Sequence, residues 1–235
     1  MNKKVGKMTL SMALAAALAF APAQAFAAPE TDISGHWAEK VITQWQEKGL
    51  ISGYEDGTFK PDNSVTRAEF VIMLNKALGF TQKGNVTFSD VSANAWYYDA
   101  VAIAVEAGYC AGYEDGTFKP NATITRAEAA VMIAKAKELT ANTEAADKFT
   151  DASRIPVWVK GSVGAVSAAG FMTGRTDGTF DATNTITRAE AVSSLWTIVN
   201  KVDTIYKEKC QVQLLRVVPS TILLFHLVSS FRENY

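Results

Sequence analysis

The chain has 235 residues, 48% hydrophobic and 20% charged, with a formal net charge of -1. This is the balance of a globular protein able to bury a sizeable core, and a poor one for sequence-independent nucleic-acid binding, which needs many net phosphate contacts. Two cysteines of unlike context, Cys110 and Cys210, do not make a disulfide framework, so packing is expected to supply stability.

Lys3, Lys4 and Lys7 precede an apolar run from Met8 to Phe20 and then Ala25-Phe26-Ala27. That order predicts a secretory signal peptide over residues 1–27, too short to be a comfortable membrane span. The mature chain is then expected outside the cytoplasmic membrane, with a charge of about -4 once those three lysines are gone.

Three internal repeats follow, over residues 31–80, 88–139 and 149–200. Trp37, Trp96 and Trp158 each stand 19 positions before Asp56, Asp115 and Asp177, and 30 before Arg67, Arg126 and Arg188. Length variation is confined to the repeat openings and to the connectors 81–87 and 140–148, where insertions cost little.

Within each repeat, apolar residues recur at helical spacing from the tryptophan, as in Trp37, Val41, Ile42 and Trp45. The three tryptophans are accordingly expected in the core, although an indole face also stacks on sugar rings. Gly49, Gly108 and Gly170 lie where a left-handed residue stops a helix. A turn-rich stretch comes next, G-Y-E-D-G-T-F-K-P in the first two repeats, whose Asp-Gly pair favours a tight reversal. Its phenylalanine, Phe59, Phe118 or Phe180, is expected to pin the loop to the core. A second helix then starts at T-R-A-E. Each repeat is thus helix, loop, helix, and neighbouring repeats are expected to share a core, since about 50 residues bury two helices poorly alone.

The tetrapeptide T-R-A-E occurs at 66–69, 125–128 and 187–190. Its threonine and glutamate have the spacing of a capping box, and its alanine is a good helix former. The arginine falls at the first helical position, where the macrodipole disfavours a cation by about 0.3–1 kcal/mol. Two readings stay open. A guanidinium beside free helix amides is a receptor for a carboxylate or phosphate; alternatively, the arginine makes an internal ion pair, with Asp56, Asp115 or Asp177 as examples.

Three ordered units of the form D-x-x-x-H-W, G-Y-x-D-G-T-F-x-P and T-R-A-E after a leader resemble the S-layer homology domains of bacterial surface-layer and wall-anchored proteins. The resemblance implies an all-α fold, a pseudo-threefold, three-pronged spindle of helix-loop-helix repeats with a central bundle and grooves between prongs. It implies binding there of the secondary cell-wall polymer joined to peptidoglycan, through a pyruvylated N-acetylmannosamine, and so non-covalent anchoring at the cell wall. Candidate ligand residues carried over by motif are Arg67, Arg126 and Arg188, Asp32 and Asp90, and Gly53, Gly112 and Gly174 for close backbone approach. The third repeat departs, with Arg175 in place of Tyr54 and Tyr113 and Asp181-Ala182 in place of Lys-Pro, which makes its groove the least similar.

After Asn200 the repeat grammar ends, and residues 201–235 read as a truncated or frame-shifted tail. His36 and His226 are the only histidines, and no nucleophile elbow, zinc spacing or calcium-binding acidic ladder occurs. No enzymatic activity, cofactor or metal is therefore expected; the rival readings are a self-assembling surface-layer protein and the anchor module of a cell-wall glycan-active enzyme.

Overall fold

The computed structural model describes residues 32–201. The expected leader, and the tail beyond Lys201 with Cys210, lie outside the described residues. Six α-helices form three pairs: α1 Glu39–Glu47 with α2 Arg67–Leu78, α3 Tyr98–Glu106 with α4 Arg126–Ala136, and α5 Val157–Ala168 with α6 over residues 188–201. Among the described residues there is no strand, only three isolated bridges. The all-α expectation holds, as does helix, loop, helix in each repeat. No helix among the described residues is long and apolar enough to cross a membrane.

The second helix of each repeat begins where the sequence says. Thr66 accepts from the Glu69 amide and Glu69 from the Thr66 amide; the same reciprocal box forms at Thr125 with Glu128 and at Thr187 with Glu190. The first helices end at Gly49, Gly108 and Gly170, with φ of 66°, 73° and 66°, a left-handed geometry that side chains with a Cβ resist.

One continuous core joins the repeats, with Ile42, Trp45, Phe70, Leu74, Ile133 and Val163 among its members. Phe59, Phe118 and Phe180 are buried in it, so the loop phenylalanines do pin their loops. At its centre the three residues before the T-R-A-E motifs link in a ring. The Val65 amide donates to the Ile186 carbonyl (3.1 Å), Ile186 to Ile124 (3.1 Å) and Ile124 to Val65 (2.9 Å). All three side chains are fully buried. Buried amides and carbonyls must be paired, and here each repeat satisfies another. The ring therefore closes only when the third repeat meets the first.

Candidate ligand-binding grooves

The T-R-A-E segments build the interfaces between repeats. The amides of Arg67 and Ala68 donate to Ala122 (2.9 Å) and Pro120 (3.0 Å) of the second repeat. Arg126 and Ala127 donate to Asn184 and Ala182 of the third, and Arg188 and Ala189 to Asn63 and Pro61 of the first, all at 2.9 Å. With the next amide taken by threonine, the helix N-termini are not free anion receptors. This corrects the expectation of open amides, and it explains the misplaced cation: the carbonyls crossing the helix start offset the positive end of the dipole.

The arginines are buried, each 4% exposed. Arg67 Nε donates to Phe118 O (2.9 Å) and Nη1 to Glu128 Oε1 (3.2 Å). Arg188 Nε donates to Phe59 O (2.8 Å), Nη1 to Glu69 Oε1 (3.1 Å) and Nη2 to Ser52 O (3.2 Å). Arg126 donates to Phe180 O (2.8 Å) and Thr173 O (2.9 Å) and stands 3.4 Å from Glu190 Oε2. The arginine of each repeat thus reaches the glutamate of the next, around the ring. A buried charge requires a partner and hydrogen bonds of this kind.

The arginines do make internal ion pairs, with Glu128, Glu190 and Glu69 and not with Asp56, Asp115 or Asp177. Asp56 pairs with Lys60 (2.9 Å) and Asp115 with Lys119 (3.2 Å). Asp177 accepts from the amide and hydroxyl of Thr179. These aspartates stabilise their own loops. Hydrogen bonds from Thr58 and Lys60 hold the Asp56 carboxyl well below the usual carboxylate range.

The glutamate serves two masters because it has two oxygens. Glu128 Oε2 accepts from the Thr125 amide (2.8 Å), while Oε1 accepts from Arg67 and from Tyr113 OH (2.6 Å). Glu69 repeats the pattern with Thr66, Arg188 and Tyr54 OH (3.0 Å). Burial opposes ionisation of Glu128, but the bonds from Tyr113 and Thr125 and the Arg67 charge outweigh it and hold its carboxyl below the usual range. Burial and the bond to Glu128 push Tyr113 up to about 12. The guanidiniums of Arg67 and Arg188 lie 4.5 Å and 4.6 Å from the Tyr113 and Tyr54 ring centres.

The remaining motif residues also act on the protein itself. Asp32 takes the Phe59 and Lys60 amides, and Asp90 those of Phe118 and Lys119. Asp151, the aspartate that opens the third repeat and is not among the candidate ligand residues, takes those of Phe180 and Asp181. Each clamp holds a residue of positive φ: Lys60 (55°), Lys119 (58°) or Asp181 (60°). At Gly53, Gly112 and Gly174 an added Cβ would meet Thr58 O (2.6 Å), Thr117 O (2.8 Å) and Thr179 O (2.8 Å). The close backbone approach is therefore within the loop.

The tryptophan expectation is overturned. Trp37, Trp96 and Trp158 are 64%, 67% and 68% exposed. Trp37 and Trp96 precede helices that start at Glu39 and Tyr98, so helical phase does not carry them inward. The buried tryptophan is Trp45. Two of the exposed indoles stand in open grooves. One groove, of about 700 Å³, is formed by the loop of the first repeat with Glu69, Met73, Trp96 and Arg188. The other, about 990 Å³, is formed by the loop of the second repeat with Glu128, Met132, Trp158 and Arg67. Each draws residues from all three repeats.

The S-layer homology domain model matches residues 31–71, 87–130 and 148–192, more than half of the chain. Over 142 residues, 60% of the chain, it is 37% identical to the surface-layer 125 kDa protein of Lysinibacillus sphaericus. Two relatives from Acetivibrio thermocellus are each 34% identical: a cellulosome-anchoring protein over 61% of the chain and exoglucanase XynX over 72%. The chain spans 12%, 34% and 16% of these three relatives, so their full names describe much longer proteins. S-layer homology domains anchor surface-layer proteins and enzymes to the cell wall. With three matched copies closed into one ring by their T-R-A-E motifs, this chain belongs to the S-layer homology domain family.

Proposed function

We propose that this chain is a non-covalent anchor, holding a surface-layer protein to the bacterial cell wall by binding pyruvylated secondary cell-wall polymer in its grooves. The observation that carries this reading is the make-up of the two grooves. Each sets an exposed indole, a surface on which a sugar ring stacks, beside a floor holding an arginine. Arg67 and Arg188 present the edge of a guanidinium to an acidic sugar, and Arg126 holds the corresponding place at the third interface. Asp32, Asp90, Gly53, Gly112 and Gly174 support binding indirectly, by fixing the loops that form the walls. The names of the anchoring and surface-layer relatives support a wall location, and the exoglucanase relative supports the variant in which such an anchor serves a glycan-active enzyme.

Sedimentation with sacculi tests the reading. The chain should pellet with wall that carries the polymer, and remain in solution with wall stripped of polymer or of its pyruvate. Equal binding to stripped wall would reject it.

A further inference from the structure

Most charges in the two grooves are already neutralised by the protein. Arg67 is paired with Glu128, Arg188 with Glu69, Lys60 with Asp56 and Lys119 with Asp115. Two lysines are different. Lys76 stands in the last turn of α2 and lines the first groove; Lys135 stands in the last turn of α4 and lines the second. Both are exposed, and among the described residues neither ammonium has an ion-pair or hydrogen-bond partner. One loop carboxylate in each groove, Glu55 or Glu114, is likewise exposed and unpartnered among the described residues.

Both lysines lie nine residues after their T-R-A-E arginine, and both glutamates follow the loop tyrosine. In the third repeat the same two positions hold Thr197 and Thr176. Thr197 turns its hydroxyl back to Ser193 O (3.0 Å). The apolar Met73 and Met132 are replaced there by Ser194, whose hydroxyl bonds to Glu190 O (2.9 Å). The third repeat has lost both unpaired charges and the methionine together.

Resting on the anchoring reading above, we infer that Lys76 and Lys135 bind the carboxylate of an acidic sugar, with Glu55 and Glu114 accepting from its hydroxyls, so that the chain has two ligand sites and not three. An unpaired ammonium on a groove wall is a stronger attractor for an anion than a buried guanidinium whose charge is matched at 3.1–3.2 Å. A carboxylate beside it suits a ligand that carries hydroxyls as well as negative charge, and disfavours a bare polyanion.

Calorimetric titration of the full chain with purified pyruvylated polymer fragments, and with the same fragments after depyruvylation, tests this. Two sites per chain are expected for the pyruvylated probe. Lys76→Ala or Lys135→Ala should each weaken one of the two sites by at least about tenfold, and the double variant should be weakened at both, with a flatter salt dependence. Helical content should not change, because both side chains are exposed, and Lys76→Arg/Lys135→Arg should restore binding. A double alanine variant that binds like the parent, in a chain whose binding is abolished by Trp96→Ala/Trp158→Ala, overturns the lysine assignment but not the groove. Three equal sites in the parent overturn the count. No binding by the parent overturns both this inference and the anchoring reading.

Discussion

The interfaces that carry Arg67 and Arg188 differ from the one that carries Arg126. In the first two, a tyrosine hydroxyl and one guanidinium share a glutamate oxygen, and the tyrosine ring lies against the guanidinium. In the third, Arg175 replaces the tyrosine, donating to Glu190 Oε1 (2.8 Å) and Asp181 Oδ2 (2.5 Å), while Arg126 keeps the other Glu190 oxygen at 3.4 Å. Burial lowers the pKa of Arg126, with Arg175 adding to that effect and Glu190 opposing it. One scaffold thus tolerates two solutions to the same problem, a half-buried glutamate in need of donors. The difference separates what the ring requires, a cation from the preceding repeat, from what the loop can vary.

The largest expected effect would break the symmetry of the ring. Arg67→Ala leaves Glu128 without its cation and the Phe118 carbonyl without its Arg67 donor, and should cost about 3 kcal/mol in denaturant unfolding, near the low end for a broken buried pair because Glu128 is partly exposed. Arg126→Ala should cost less by about 1 kcal/mol, since Arg175 still offers Glu190 a cation. Equal losses would show that Arg175 gives the third interface no support. The smallest effect is expected from Arg175→Tyr, which replaces a partly exposed ion pair by the tyrosine contact of the other repeats. Unfolding free energy should stay within about 0.5 kcal/mol. A loss above 2 kcal/mol would mean that the third loop depends on its own arginine.

Much of this fold was readable from the sequence because it is local and repeated. The capping boxes, the helix-ending glycines and the anchoring phenylalanines each follow from residues a few positions apart. The errors came where partners are distant. The capping box uses one oxygen of Glu69 or Glu128, and nothing nearby in the chain says that the other is kept for an arginine 119 or 61 residues away. Trp37 and Trp96 escape the core for another reason. A helical phase that begins at Trp37 is sound only if the helix does, and α1 starts two residues later. In the grooves, the arginines stand out in the sequence for the charge they bring, whereas the geometry spends most of that charge on holding the repeats together. Lys76 and Lys135 carry no signal in the sequence, because a lysine in the last turn of a helix is ordinary in any chain.

The T-R-A-E arginine is the link between successive repeats, and a double-mutant cycle measures that link. Unfolding of the parent, Arg67→Ala, Glu128→Ala and the double variant should give a coupling of about 1–3 kcal/mol between residues 61 positions apart. A coupling indistinguishable from zero, with Arg67→Ala folding as stably as the parent, would contradict it.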